Sequence, residues 1–400
     1  MLTSLAFIFL AGLATAALCQ SLQLPRIIGM LFTGILLGPY ALNLLDPKIL
    51  SISSELRQMA LIIILLKAGL SLNIADLKKV GRPAVLMSCV PACFEILAFV
   101  LFAPRFLGLS VREAAVMGAV LAAVSPAVVI PRMVRLMEEN YGTGKSIPQL
   151  IMAGASCDDI FVIVLFSTFV SMAQGEEVRI MDFVNIPVSI VLGVLLGAVC
   201  GYVMALFFET AYAHQHCVRN STKVILVLGM AFLMMAAESW LEGIVSVSGL
   251  IAVVSMACVL KIKSVESVSK RLSEKFGKLW IAAEVILFVL VGAAVDIRYT
   301  VEAGAMAVVM ILTALVFRAV GVLLCMAGTD LNRKERLFCV IAYAPKATVQ
   351  AAIGSVPLSL GLPCGKIVLS VAVLAILITA PLGAIGIDHF YRKLLVCDEV

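Results

Sequence analysis

Charged residues are scarce in this chain of 400 residues: Asp, Glu, Lys and Arg make up 14% of it, whereas 62% of the residues are hydrophobic. Soluble domains average about 25% charged and roughly 45 to 50% apolar residues, so this composition indicates an integral membrane protein. No stretch of ~100 residues is polar enough to form a separate soluble domain, which excludes an enzyme with an extramembrane catalytic half. The net charge of +5 is small and scattered, and it does not indicate nucleic-acid binding.

Two further signals are missing. The 11 cysteines include no C-x-x-C pair and most lie in apolar runs, which predicts buried small hydrophobic side chains rather than disulfides or metal ligands. A signal peptide would have Lys or Arg ahead of its apolar core, and this N-terminus has neither there. We therefore predict that residues 3–19 form the first membrane span.

Thirteen apolar runs are separated by charged breaks or by breaks that contain Gly and Pro. Since ~20 helical residues cover the ~30 Å hydrocarbon core of a bilayer, the sequence predicts an all-α polytopic membrane protein with about 13 transmembrane helices. The predicted spans are residues 3–19, 26–45, 56–73, 83–104, 112–136, 147–174, 184–208, 222–241, 244–261, 277–296, 301–328, 333–359 and 365–390.

Lys and Arg are distributed unevenly between the connections. Of the 30 in the chain, 20 fall in one set of alternating connections, which includes those near Lys78 and Arg219, and 7 fall in the opposite set. The positive-inside rule then predicts a cytoplasmic C-terminus and an external N-terminus. The most basic connection, residues 261–278, has apolar residues at helical spacing opposite its cations. It is either a segment on the inner leaflet that contacts anionic lipid or a solvated linker.

Seven Asp, Glu, Lys and Arg side chains lie more than five residues from either end of a predicted span. Lys67 and Glu284 lie within about two turns of a cytoplasmic span end, where snorkelling explains them. The other five share one depth, roughly 9 to 13 residues into their spans. These five are Glu95, Asp158, Asp159, Arg318 and Lys346. Because an unpaired charge near mid-bilayer costs about 3 kcal/mol or more, their convergence predicts an ion or proton pathway. For Glu95 with Arg318 alone, a structural ion pair is the better interpretation.

Two of the five are consecutive, in the string GASCDDIFVIV. Neighbours on a helix point about 100° apart, so Asp158 and Asp159 cannot both face one partner. One can face a bound cation while the other faces a neighbouring helix. Since a dehydrated carboxylate binds either a proton or a monovalent cation, this pair predicts competition between the two, with Na⁺ or Li⁺ favoured by hard oxygen ligands.

Prolines interrupt two of the predicted spans. Ser125 and Pro126 lie in AAVSPAVVIP, and Pro345 and Lys346 lie in YAPKATVQAAIG. Broken helices are tolerated in a membrane where they line an enclosed cavity, and their ends carry partial charges suited to ions. We expect Lys346 to offset the negative carbonyl ends of both interrupted helices.

The two breaks lie seven spans apart, and an odd offset gives them opposite directions through the bilayer. The span before each break carries a charge, Glu95 in one half and Arg318 in the other. The sequence therefore predicts inverted repeats with two broken, crossing helices.

The chain resembles a known family, the monovalent cation/proton antiporters of the sodium/proton exchanger superfamily, and in particular its NHA-type branch. The resemblance runs over nearly the whole chain. It is carried by the ordered strings LLKAGLSL, VPACFEI, GAVLAAVSPAVVIPRM, GASCDDIFVI, LVFRAV and YAPKATVQAAIG.

The resemblance implies a homodimer in which a six-helix core moves against a dimerisation scaffold. It implies that Asp158 and Asp159 carry the ion and the proton, with Asp159 as the principal cation ligand, and that no cofactor is needed beyond the transported Na⁺ or Li⁺ and H⁺. The domain boundaries expected on this basis are scaffold at 1–82 and 176–297, core at 83–175 and 298–390, and a cytoplasmic tail at 391–400.

One residue departs from the pattern of the best-known two-aspartate bacterial members, which have a lysine where Arg318 falls. Arginine does not release its proton under these conditions, so only the aspartates remain to exchange protons. Three carboxylates and two cations leave one net negative charge, which one Na⁺ or one H⁺ neutralises. We therefore expect electroneutral one-for-one exchange, with two H⁺ per Na⁺, or K⁺/H⁺ exchange, as the alternatives.

Other classes fit less well. An intramembrane aspartyl protease needs its aspartates on two facing helices, within Tyr-Asp and Gly-x-Gly-Asp strings that are absent around this pair. A channel would not need inverted breaks and buried carboxylates, whereas a sodium-coupled solute symporter stays open. We therefore predict a transporter and not an enzyme, in a bacterial inner membrane.

Overall fold

The computed structural model describes residues 1–397 except 23, 72–80, 175–179, 214–218, 242–246 and 296. The described residues are almost entirely helical. Their helices, in chain order, are α1 (Leu2–Ser21), α2 (Arg26–Leu37), α3 (Pro47–Ser51), α4 (Ser53–Ser71), α5 (Arg82–Met87), α6 (Val90–Leu107), α7 (Val111–Ala122), α8 (Pro126–Glu138), α9 (Ile147–Ala173), α10 (Ile180–Ala213), α11 (Asn220–Leu241), α12 (Gly249–Lys263), α13 (Glu266–Ala293), α14 (Ile297–Cys325), α15 (Arg333–Ala342), α16 (Thr348–Ile353), α17 (Val356–Ser359) and α18 (Gly365–Leu394).

Within the described ranges, β-structure is limited to one isolated bridge between Tyr141 and Cys397. Nine helical segments of the described chain are long and apolar enough to cross a bilayer. The prediction of an all-α membrane protein is confirmed, while the count of thirteen crossings stays a prediction. The predicted connection near Lys78 lies outside the described residues.

Two helices differ from their predicted spans for reasons that involve proline. Helix α2 ends at Leu37, and Gly38 is extended with ψ of 170°, because a residue that precedes proline is pushed out of the helical region. The span predicted at 83–104 is interrupted between α5 and α6 at Cys89, whose φ is −137° and whose second neighbour is Pro91. Pro91 lacks the N–H that would bond back to Met87, so the hydrogen-bond ladder is interrupted there.

The two predicted helix breaks are present. Helix α7 ends at Ala122 and α8 begins at Pro126, while α15 ends at Ala342 and α16 begins at Thr348. Pro126 occupies the first position of α8, where its missing N–H is not needed, and it holds Ser125 in an extended conformation with φ −90° and ψ 108°. Pro131 lies inside α8 rather than in the break.

The chain divides into two compact units. Unit 1 comprises Met1–Arg57, Asn73–Gln174 and Val285–Val400, and unit 2 comprises Gln58–Leu72 and Gly175–Glu284. In unit 1, α9 packs on α5, α7 and α8, while α6 packs on α7 and α14, and α18 packs on α14 and α15. These units describe packing and not movement, so the predicted division into scaffold and core stays a prediction.

In unit 2, glycines bring α10 against α12. Gly193, Gly197 and Gly201 recur at every fourth residue of α10, and a Cβ on any of them would lie 2.1 to 2.7 Å from a carbonyl oxygen of α12 or of its N-cap Ser248. This spacing places them on one helix face. Close approach between small residues is the usual way in which helices pack inside a bilayer.

Candidate functional site

The two helix breaks touch one another in unit 1. The backbone N–H of Ser125 in the first break donates a hydrogen bond of 2.8 Å to the carbonyl oxygen of Pro345 in the second. Helix α18 lies close against the second break, because a Cβ at Gly383 would be 2.2 Å from Pro345, and Thr379 Oγ1 accepts from the Lys346 N–H at 3.0 Å. The backbone at both breaks is therefore enclosed by protein, as irregular backbone at membrane depth must be.

Arg318 reaches both breaks from α14. Its side chain is 2% exposed, and its Nε donates to the Tyr343 carbonyl at 2.6 Å, while Nη1 donates to the Ala122 carbonyl. Those two carbonyls belong to the last residue of α7 and to the C-cap residue of α15, where no helical N–H is available. A guanidinium there satisfies both carbonyls and offsets the negative ends of two helix dipoles.

Glu95, on α6, pairs with two cations. It is fully buried, and its Oε2 lies 2.8 Å from Arg318 Nη1 while its Oε1 lies 2.7 Å from Lys346 Nζ. The Lys346 ammonium also donates to the carbonyl of Leu121, at the end of α7. Lys346 and Arg318 therefore both donate to carbonyls at the broken helix ends, a role that we expected of Lys346 alone. The charge of Glu95 is balanced within the protein.

The two consecutive aspartates of α9 have different surroundings. Asp158 is fully buried, and its Oδ2 accepts from the Val124 N–H at 2.7 Å and lies 3.3 Å from Arg318 Nη2. Asp159 is 7% exposed, and its Oδ1 has no hydrogen-bond partner among the described residues. One carboxylate is therefore tied to the first break and to the arginine, and the other is left available to a ligand.

Further oxygens around the breaks lack partners. Among the described residues, no hydrogen-bond partner is found for Asp158 Oδ1, for the hydroxyl oxygens of Ser125 and Thr348, or for Gln350 Oε1. All four atoms are buried. Buried polar atoms in folded proteins normally have partners, and unpaired oxygens near helix breaks are of the type that a dehydrated hard cation binds. The described residues contain no cluster of three His, Cys, Asp or Glu side chains of the kind that holds a resident metal.

The structure brings most of the predicted site residues into one network. Ser125, Pro126, Pro345 and Lys346 form the breaks, and Glu95, Asp158 and Arg318 join Lys346 through ion pairs, while Asp159 is the residue next to Asp158 on α9. Sequence reasoning missed Gln350 and Thr379, which bond the main chain of the breaks. The sequence signal that could have pointed to Gln350 is the presence of a polar glutamine within an apolar predicted span.

Comparison with known proteins finds similarity along nearly the whole chain. A family model described as "Sodium/hydrogen exchanger, transmembrane" matches residues 5–393. Sodium/hydrogen exchanger 9B2 of Mus musculus is 33% identical over 386 residues, which are 94% of this chain and 69% of the relative. The Homo sapiens 9B2 protein is 34% identical over 382 residues, with 93% and 70% covered, and Homo sapiens 9B1 is 31% identical over 360 residues, with 86% and 67% covered.

The fold has a solved counterpart. The structure of the sodium proton antiporter MjNhaP1 from Methanocaldococcus jannaschii at pH 8 matches this chain with a TM-score of 0.83 at 20% identity, and the match covers 98% of each chain. This likeness confirms the predicted antiporter fold, and the family match confirms the resemblance found in the sequence. The chain belongs to the sodium/hydrogen exchanger family, whose members are transporters and not enzymes.

Proposed function

We propose that this protein exchanges a monovalent cation, Na⁺ or Li⁺, for H⁺ across a membrane. The observation that carries the proposal is Asp159, a nearly buried carboxylate with an unpaired oxygen that follows Asp158, the carboxylate bonded to the first helix break. A carboxylate in such a place is stable when it holds either a proton or a cation. Binding of one ion then requires release of the other, which is the basis of antiport.

Glu95, Arg318 and Lys346 form the fixed part of the proposed site. Glu95 contacts both cations at 2.7 to 2.8 Å, and Arg318 also reaches Asp158 at 3.3 Å. With all five groups ionised, one negative charge remains. A single Na⁺ or a single H⁺ balances it, which supports electroneutral one-for-one exchange in which Asp158 and Asp159 are the exchanging groups.

A stoichiometry of two H⁺ per Na⁺ is the second candidate. It is favoured by the unpaired Oδ1 of Asp158, which leaves that carboxylate an atom on which to take its own proton. Two interacting carboxylates titrate as a pair, so a second proton would enter at a different pH from the first. K⁺/H⁺ exchange differs from Na⁺/H⁺ exchange only in the cation that the unpaired oxygens bind.

A sodium-coupled solute symporter is the alternative from another class. Coupling to a solute would require that ion movement depend on an organic substrate, whereas antiport needs only the cation and a pH difference. Transport measured in proteoliposomes that contain no organic solute distinguishes the two classes, because only an antiporter would move the cation there.

We propose that the transport cycle proceeds by alternating access. On the strength of the resemblance, we propose that the core segments 83–175 and 298–390 move against the scaffold segments 1–82 and 176–297, with 391–400 as a cytoplasmic tail, in a homodimer. The Lys and Arg distribution supports an external N-terminus and a cytoplasmic C-terminus.

The basic segment 261–278 is the proposed contact with anionic lipid. Lys263, Lys270, Arg271 and Lys278 are exposed, while Leu272 and Phe276 are buried. Exposed cations beside exposed apolar residues such as Ile262 and Val265, on a segment held to the protein by Leu272 and Phe276, suit an anionic headgroup layer.

The decisive experiment uses proteoliposomes with an interior pH dye, given Na⁺, Li⁺ and K⁺ in turn. We expect Na⁺ or Li⁺ to move protons in the wild type, and Asp159→Asn to abolish that movement because the amide takes up no proton and has no negative charge for the cation to balance. Asp158→Asn is the matched comparison, since its oxygen is already held by Val124 and Arg318. Unchanged activity in Asp159→Asn would remove Asp159 from the site.

A further inference from the structure

A tyrosine side chain connects the α5–α6 interruption to the second helix break. The Met87 carbonyl at the end of α5 has no N–H to accept from at the fourth residue along, because Pro91 stands there. The hydroxyl of Tyr343, the C-cap residue of α15, donates to this carbonyl at 3.0 Å, and both residues are fully buried. Tyr343 therefore supplies the hydrogen-bond donor that the proline lacks.

The same tyrosine contacts Arg318 in two ways. Its carbonyl accepts from Arg318 Nε at 2.6 Å, and the centroid of its ring lies 5.2 Å from the guanidinium carbon. A guanidinium within about 6 Å of an aromatic centroid is attracted to the face of the ring, and the attraction is stronger out of water. Because the hydroxyl is bonded to Met87, the ring that contacts Arg318 is held at its far end as well as at the main chain.

Gly154, on α9, leaves room for this hydroxyl. A Cβ on Gly154 would lie well under 3.0 Å from the hydroxyl oxygen of Tyr343 and 2.9 Å from Met87 Cβ. Real Cβ contacts are essentially never that short, so alanine at this position would displace the hydroxyl. Gly154 precedes Asp158 by four residues, which places the two on the same face of α9. The hydroxyl of Tyr343 therefore packs against the helix that carries the aspartates.

The contact between Arg318 and Asp158 depends closely on where the guanidinium lies. Arg318 Nη2 is 3.3 Å from Asp158 Oδ2, just beyond the usual N–H···O length of roughly 2.7 to 3.2 Å. The bonds of Arg318 to Tyr343 and Glu95 are shorter, at 2.6 and 2.8 Å. A small displacement of the guanidinium therefore breaks the contact with Asp158 first. Oδ2 would then be held by the Val124 N–H alone, and the carboxylate could turn about that one bond.

We infer that Tyr343 is a positioning residue for the cation site: its hydroxyl bond to Met87 holds the ring against Arg318, and Arg318 in turn holds Asp158. This inference rests on the proposed cation/proton exchange and adds to it a residue that acts through Arg318. A cation binds most tightly where its ligands are already held in the bound geometry. Loss of the hydroxyl bond therefore weakens cation binding, because Asp158 has to be ordered each time a cation enters.

Tyr343→Phe, Gly154→Ala, the double variant and Tyr391→Phe test the inference. Phenylalanine removes only the hydroxyl, whereas Gly154→Ala keeps the tyrosine and takes the space of its hydroxyl. Tyr391 is the matched control, because it is also buried and its hydroxyl donates at 2.9 Å to Glu139, just beyond the end of α8. Each full-length variant is measured in proteoliposomes for the KM and kcat of Na⁺-driven proton movement, and in detergent for Tm.

We expect Tyr343→Phe to raise the KM for Na⁺ roughly three- to tenfold, the effect of losing one buried hydrogen bond, while kcat changes much less. Gly154→Ala should also raise the KM, because it displaces the hydroxyl. In the double variant the two increases should not multiply, since no hydroxyl is left for the alanine to displace. Tyr391→Phe should lower Tm, as Tyr343→Phe does, and keep the wild-type KM.

The inference is overturned if Tyr343→Phe lowers Tm but keeps the wild-type KM, because the hydroxyl would then serve stability alone. It is also overturned if the two KM increases multiply in the double variant, or if Tyr391→Phe raises the KM equally. Should Gly154→Ala fail to fold, the comparison of Tyr343→Phe with Tyr391→Phe decides the matter. A wild type that moves no protons in response to Na⁺, Li⁺ or K⁺ overturns the proposed function instead, so the two failures are distinguishable.

Discussion

Glu95 sits between Arg318 and Lys346, and both cations depend on it. Its two carboxylate oxygens lie 2.8 and 2.7 Å from the guanidinium and the ammonium. Removing one partner of a buried ion pair leaves an uncompensated charge, which costs about 3 to 5 kcal/mol. The pair predicted from the sequence is therefore part of a triad, and the triad changes which substitutions compensate each other.

We expect Glu95→Gln to lower the free energy of unfolding by about 3 kcal/mol or more, since it leaves two buried cations with only Asp158 nearby. Adding Lys346→Met should recover part of that loss, because Arg318 still contacts Asp158 at 3.3 Å. Thermal or denaturant unfolding in detergent measures both variants. A double variant as unstable as the sum of the two singles would show that the groups act independently.

Glu139 is a charged group outside the membrane spans whose surroundings are well defined. Its Oε1 lies 2.7 Å from Arg135 Nε, and its Oε2 accepts from the Tyr391 hydroxyl at 2.9 Å. Arg135 first, and then the hydroxyl of Tyr391, hold the pKa of the Glu139 carboxyl below its ordinary value of 4.5. The group thus connects the end of α8 to the end of α18.

A carboxyl whose pKa is lowered by folding stabilises the protein above its unfolded pKa and loses that contribution as the pH falls through the folded value. We therefore expect Glu139→Gln to reduce the stability difference between neutral pH and pH values below 4.5. Tm measured across this range is the test, with the exposed neighbour Glu138→Gln as control. Equal pH profiles for the two variants would contradict the assignment.

At the scale of helices, the positions of prolines are what made the helix breaks predictable from the sequence. Both breaks follow from Pro126 and Pro345, because proline removes a donor and pushes its predecessor out of the helical region. The same rule, had it been applied to Pro39 and Pro91, would have found the end of α2 and the interruption at Cys89. Hydropathy alone, which averages over a span, does not detect them.

The glycines of α10 give the clearest prediction about an element. We expect Gly197→Ala to destabilise the protein by about 1 to 3 kcal/mol, because its Cβ would lie 2.1 Å from the Ala252 carbonyl oxygen. Gly229→Ala on α11 meets nothing within 4 Å and should stabilise its helix by about 0.5 to 1 kcal/mol. Opposite shifts in Tm are the expected result, and a loss of stability in both variants would indicate that helix packing is not the cause.

The partners within the site were harder to predict than its members. Depth along each span brought the five charges to one level, but contacts depend on which way each helix is rotated, and a sequence without its fold does not give that rotation. Lys346 was expected to face the helix ends, and it also reaches Glu95. Asp158 and Asp159 were expected to differ, yet only the structure shows that Asp158 is the one bound to Val124 and Arg318.

For the molecule as a whole, the net charge of the five ionisable side chains in the core determines whether a transport cycle moves net charge across the membrane. One remaining negative charge predicts that exchange neither generates a membrane potential nor responds to one. We expect Na⁺-driven proton movement in proteoliposomes to be the same with and without a potential imposed by K⁺ and valinomycin. A rate that changes with the imposed potential would favour two H⁺ per Na⁺ instead.

The bond between the Ser125 N–H and the Pro345 carbonyl is made by main-chain atoms alone. Every residue except proline supplies that N–H, so almost any substitution at position 125 leaves this tie in place. The junction of the two interrupted helices is thus insulated from the identity of the side chains around it. Substitutions of neighbouring side chains during evolution would therefore change which ion binds without disrupting the main-chain contact between the two interrupted helices.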